Sequence, residues 1–114
     1  MSNIINLSDR EEKLPVLFEL TGVYITNGVQ YLLDENVINE FDLNVLLLKH
    51  IKNIDNNKYE EDRKYNLEAI KTGTGRVLNV YELNDNRFYI NSYVSKKGSR
   101  TIADETMIML CEEY

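Results

Sequence analysis

The stretch KTGTGRVL, residues 71–78, holds two of the chain's five glycines and comes nearest to a phosphate-binding loop. Phosphate loops run strand, glycine turn, helix, because amide groups at a helix N-terminus hold the anion. Here the preceding residues read as a helix and the following ones as a strand, and no Gly-Lys-Ser or Gly-Lys-Thr is present. Gly73 instead suits the left-handed position that ends a helix. The loop is read as a helix stop. Two other residues have the chemistry for catalysis. His50 is the sole histidine and Cys111 the sole cysteine. A small enzyme centred on either is conceivable, but nothing in the spacing supplies a nucleophile, a base and an orienting group together. His50 lies at the end of a helical pattern, where the dipole favours a protonated imidazole, so a structural or capping role is expected. Cys111 sits in an apolar run and reads as an inert buried thiol.

Charge is the other source of possible function. The net charge is −6, which argues against general nucleic-acid binding. It is unevenly spread. Residues 1–57 carry nine acids and four bases, whereas residues 71–100 carry six bases (Lys71, Arg76, Arg87, Lys96, Lys97, Arg100) and two acids. Arg76, Arg87, Lys96, Lys97 and Arg100 are therefore candidate partner-binding residues on a basic β-hairpin. Glu60, Glu61 and Asp62 are candidates for the opposite device, an acidic face that imitates DNA. That trio also suits the positive end of a helix dipole, and the sequence adds no further ligands for a hard metal. Tyr81, Phe88, Tyr89 and Tyr93 beside Arg76, Arg87 and Lys96 suggest a stacking platform for single strands. Strand tyrosines are also ordinary packing residues. No cofactor or metal motif is found.

The elements that must position these residues follow from periodicity and turn chemistry. LSDREEKLP opens with a capping box, Ser8 and Glu11, ahead of Pro15. VLFELTGVYIT reads as a strand or a buried extended segment, and NGVQYLLDE as a short helix capped by Asn27. NEFDLNVLLLKHI is the strongest helix. Asn39 caps it, Asp42 lies in its first turn, and Phe41, Val45 and Leu48 share a face that Leu43, Leu46 and Leu47 widen. YEEDRKYNLEAIK is a further helix, starting near Tyr59 or Glu60. Three strands follow. RVLNVYEL and RFYINSYV flank the turn NDN, and ETMIMLCEEY comes after KKGSR. On the second strand Phe88, Ile90 and Val94 face one side, and Tyr89, Asn91 and Tyr93 the other. The expected fold is α+β, with N-terminal helices packed on one face of a C-terminal antiparallel β-meander. A single domain over residues 1–114 is expected, with residues 1–13 flexible. The expected core is Leu46, Leu47, Ile51, Leu67, Ile70, Leu78, Val80, Phe88 and Ile90.

The second half of the chain resembles a family of small proteins carried by plasmids, integrative elements and phages, described as plasmid-related proteins. His50 stands where that family has a histidine. Glu61, Asp62 and Asn66 match its helix, and Gly75, Arg76, Leu78 and Tyr81 its following strand. Phe88 to Ile90 take the place of an Ile-Trp-Ile segment, GSRT matches part of a basic loop, and EEY closes the chain. The resemblance implies a mobile-element origin and implies no reaction.

Three functions are open at this stage. The first is a mobile-element protein that binds and modulates or inhibits a host protein or ribonucleoprotein complex, such as a CRISPR or restriction defence system. The second is a nucleic-acid-binding regulator that uses the basic hairpin. The third is the small enzyme. No run approaches the roughly 18 apolar residues of a membrane span, and no signal peptide is visible, so a cytoplasmic setting is expected, with no membrane partner.

Overall fold

The computed structural model describes residues 8–54 and 60–114. Residues 1–7, Tyr59 and the loop before it lie outside the described residues. The fold is α+β. Helix α1 (Asp9–Glu12) is capped by the Ser8–Glu11 capping box read from sequence. Strands β1 (Glu19–Leu20) and β2 (Val23–Ile25) follow, then helix α2 (Asn27–Asp34). Thr26 caps α2, one residue earlier than the Asn27 read from sequence. Helix α3 (Glu40–Ile51) carries the Asn39–Asp42 capping box. Helix α4 spans Glu60–Thr72. Strands β3 (Arg76–Leu83), β4 (Asn86–Lys97) and β5 (Arg100–Leu110) complete the chain with a 3-10 turn at Cys111–Glu113.

β3, β4 and β5 are antiparallel neighbours. β1 and β2 both pair with β5 in parallel, so the sheet is mixed rather than a pure meander. The physical reason is the free edge of β5. An unpaired edge strand exposes a row of backbone donors and acceptors, and the N-terminal segment satisfies it. The β3–β4 turn is made by Asn84 and Asp85 at φ 51° and 64°, the geometry of a two-residue hairpin. Opposite Tyr93 and Val94 the pairing skips from Glu105 to Ala103, leaving Asp104 as a bulge.

One side of β3–β5 meets the helices. Val29, Leu32, Leu43 and Leu46 cluster with Tyr81, Leu83, Phe88, Ile90, Ile108 and Leu110. A second cluster joins Phe18, Ala69 and Ile70 to Val77, Val94 and Ala103. Of the expected core, Leu46, Ile70, Phe88 and Ile90 are buried. Leu47, Ile51, Leu78 and Val80 are only half-buried, and Leu67 is 41% exposed. The error on β3 is a shift of one residue, which turns a strand's whole side-chain set over. Val77, Asn79, Tyr81 and Leu83 point inward because Asn79 and Tyr81 find buried polar partners there. On α3, Phe41 is exposed at 55%, and Asp42, Lys49 and His50 take its place on the buried side.

The glycine stretch is a helix stop. Gly73 sits at φ 68°, and its N–H and that of Thr74 both donate to the Ala69 carbonyl, at 2.8 and 3.3 Å. A Cβ on Gly73 would collide with Cγ of Lys96 and come within 3.0 Å of the Lys96 backbone nitrogen. Gly75 also has positive φ, 87°, yet only the Tyr65 hydroxyl lies near, at 3.8 Å. Gly75→Ala should therefore cost about 1 kcal/mol, the conformational term alone. Gly73→Ala should cost measurably more. Identical melting curves for the two variants would sink this steric account.

Candidate interaction surface and the buried polar network

His50 is fully buried, between Phe18, whose ring meets the imidazole edge-on at 5.3 Å, and the sheet. A chain of amides fixes its protonation. The Asn66 side chain pairs with β3 like a neighbouring strand: its Oδ1 accepts from Leu78 N at 3.1 Å, and its Nδ2 donates to Leu78 O at 2.9 Å. That orientation leaves Asn66 Nδ2 also facing Asn79 Oδ1 at 3.2 Å. Asn79 must then turn Nδ2 toward His50, donating to Nδ1 at 2.9 Å. Nδ1 therefore accepts, and the ring proton sits on Nε2, which donates to Ser92 Oγ at 2.8 Å. Ser92 Oγ in turn lies 2.6 Å from Thr106 Oγ1.

This Ser-His-Asn contact is the reverse of a nucleophile relay. A catalytic imidazole accepts the serine proton, whereas here its basic lone pair is taken by Asn79 and both Ser92 and His50 are buried. Burial lowers the His50 pKa to about 3. The protonated imidazole read from the helix dipole is thus corrected, because desolvation outweighs the dipole. Leu78 and Tyr81 border this network, with the Tyr81 hydroxyl donating to Ile54 O at 2.8 Å.

Cys111 lies in the 3-10 turn, not in a strand. It is half-buried, and burial pushes its thiol up. Its hydrogen-bonding neighbour is Tyr89, on the side of the sheet opposite Ser92, so it cannot form a pair with His50.

That opposite side is the second structural feature. Leu78, Val80, Tyr89, Met107 and Met109 belong to neither core cluster. They form ladders: Val80, Tyr89 and Met109 lie side by side, as do Leu78, Asn91, Met107 and Tyr24, and then Arg76, Tyr93 and Glu105. Tyr24 and Tyr93 are each 55% exposed and Tyr114 is 65% exposed. Glu113 places Tyr114 here. Its carboxylate accepts from Thr26 Oγ1 at 2.6 Å, Leu110 N at 2.9 Å and Gly28 N at 3.2 Å, tying the C-terminal turn to the start of α2. The Thr26 hydrogen bond in particular holds that carboxyl below its usual range. Tyr114 then meets Tyr89 edge-on at 5.0 Å and receives a hydrogen bond from Arg76 Nη1 at 3.0 Å. Asn91, mid-face, keeps a buried Oδ1 with no partner among the described residues.

Of the sequence-derived platform, Tyr89 and Tyr93 are on this open face, while Tyr81 and Phe88 are in the core. Tyr24 and Tyr114 were missed. Only the parallel pairing of β2 and the Glu113 contacts bring them in, and neither has a local sequence signal. The basic residues do not form one patch. Arg87 is the second residue of β4 and Lys97 the last, about 33 Å apart at strand rise. Arg87 pairs with Glu82 at 2.8 Å and Arg100 with Glu19 at 3.1 Å. Lys96 packs its stem over Gly73 toward α4, at the same end as Lys97 and Arg100. Glu60, Glu61 and Asp62 are exposed on the first turn of α4, and Glu60 lies 3.7 Å from Lys64. Among the described residues, no cluster of His, Cys, Asp and Glu could hold a metal, and no helix is long and apolar enough to cross a membrane.

With this geometry in hand, comparisons with protein-family models, with curated proteins and with solved structures return no match to the chain.

Proposed function

We propose that the protein works by binding rather than by turnover, and that the open sheet face is its contact surface for a protein partner. The observation that carries this is the exposure of Tyr24, Tyr93 and Tyr114 on one face with Met107, Met109 and Arg76. Tyr, Met and Arg are the residue types enriched at protein interfaces, where rigid aromatics give contact area at little entropic cost. The charges at the ends of the face favour a protein over a polyanion. Arg87 and Arg100 are matched by Glu82 and Glu19, and Arg76 faces Glu105 across Tyr93. A nucleic acid needs unmatched cations. The committed lone pair of His50 supports a role without turnover. The resemblance to mobile-element proteins supports a host protein or ribonucleoprotein complex, of the nucleic-acid-handling defence kind, as the partner, which is modulated or inhibited by occupation of its surface.

The test compares three variants in capture from the host, with the partner identified by mass spectrometry and its affinity then measured with purified components. Tyr24→Ala, Tyr93→Ala and Tyr114→Ala combined should weaken binding at least tenfold. Replacing Glu60, Glu61 and Asp62 by their amides, or Arg87, Lys96, Lys97 and Arg100 by Ala, should change affinity little beyond its salt dependence. If the basic variant loses the partner and the tyrosine variant keeps it, the basic hairpin is the contact. Salt-sensitive binding of single-stranded RNA or DNA, lost with the tyrosines, would replace the protein partner by a nucleic acid.

A further inference from the structure

On the helix side, away from the open sheet face, a cleft of about 680 Å³ lies between α1, the end of α3 and α4. That volume is typical of small-molecule sites. Among the described residues, three cations, Arg10, Lys52 and Arg63, line it against one carboxylate, Glu11, in a chain whose net charge is −6. The carboxylate is already engaged. Glu11 accepts the Ser8 N–H at 2.9 Å, which is the main reason its pKa is lowered. Neither Arg10 nor Arg63 makes an ion pair among the described residues, in contrast to Arg87 and Arg100. Lys52 is buried to 9% exposure, yet its Nζ reaches only two carbonyls, Glu11 O at 3.1 Å and Glu12 O at 3.0 Å. That leaves one of its three protons without a partner among the described residues.

Behind the wall lies a further amide, whose nitrogen is shielded from solvent. Asn53, 5% exposed and in the left-handed region at φ 50°, accepts at Oδ1 from Asn66 Nδ2 at 3.2 Å and has no partner for Nδ2 among the described residues. A buried unpaired donor is costly, and the Asn53 amide reports on any change at this wall. Beside these groups Leu14 and Leu67 expose about two-fifths of their surface into an apolar lining completed by Leu17.

We propose that this cleft binds a small organic phosphate monoester. Two guanidinium forks and an ammonium supply more N–H donors than a carboxylate's two oxygens can use, and they suit three phosphate oxygens. The excess of positive charge matches the near-dianion that a phosphate monoester is at neutral pH. The leucines take the apolar group of the ester. This site is independent of the open sheet face, so either proposal can fail alone.

The test is a titration of ¹⁵N-labelled protein with phenyl phosphate at fixed ionic strength, read on the Asn53 side-chain amide and the Arg10 and Arg63 Nε–H signals. Saturable shifts at all three are expected. Inorganic phosphate, lacking the apolar group, should bind at least tenfold more weakly. The exposed pair of substitutions Arg10→Gln and Arg63→Gln should weaken phenyl phosphate at least tenfold while leaving the melting temperature in place. Non-saturating shifts, or equal binding by the double variant, would overturn the site. Phenylacetate binding as tightly as phenyl phosphate would overturn the choice of a phosphate.

Discussion

Lowering the pH from 7 to 4 should remove about 3 kcal/mol of folding stability through His50 alone. Its pKa falls from 6.5 to about 3 on burial. Below pH 6.5 the unfolded chain takes up a proton that the folded chain refuses, so the unfolded state gains. The stabilisation is fully present above pH 6.5 and is lost progressively as the pH falls toward 3. Against a total of about 5–15 kcal/mol for an ordinary domain, that loss is large. Carboxylates whose pKa values are lowered, Glu11 and Glu113, act in the same direction. The variant His50→Gln separates them. A glutamine amide offers one nitrogen for Ser92 and one oxygen for Asn79 and does not titrate. Chemical denaturation at a series of pH values should show a shallower acid slope for His50→Gln than for the natural protein. Parallel slopes would mean that His50 opens to solvent.

Asn66→Ala should be among the most damaging single substitutions, at about 3–5 kcal/mol, because several buried groups lose partners at about 1–3 kcal/mol each. Its amide covers Leu78 N and O on the edge strand β3, orients Asn79 and donates to Asn53 Oδ1. Without it Asn79 is free to turn over, and the His50 tautomer is no longer imposed. The substitution should therefore couple to His50→Gln, and a double-mutant cycle should give an interaction energy of about 0.5–3 kcal/mol. Strict additivity would show that the amide chain does not transmit orientation to the imidazole.

Much of the fold was legible because its signals are local. The Ser8–Glu11 and Asn39–Asp42 boxes, the stop at Gly73 and the turn at Asn84 and Asp85 each depend on residues a few positions apart. Alternation on β4 was legible too, since Phe88 and Ile90 are strongly apolar while Tyr89 and Tyr93 tolerate water. On β3 the same reasoning failed. An asparagine at position 79 reads as outward, and only partners from α3 and α4 make its burial favourable. Phe41 failed for the converse reason, since a large apolar residue predicts burial but α3 turns Asp42 and His50 inward instead.

The sequence by itself determined the α+β class, the punctuation of the chain and the acidic–basic division, because propensity, capping and charge are properties of short stretches. The tertiary structure alone decided which groups meet. It buried the one histidine in a fixed tautomer and put Cys111 across the sheet from it. It divided the basic residues between the two ends of β4 and gathered Tyr24, Tyr89, Tyr93 and Tyr114 from three separate segments onto one face. Those outcomes depend on strand register and on contacts between residues as far apart as Thr26 and Glu113. Such contacts are set by the competition of all buried groups for partners at once, which no local pattern encodes.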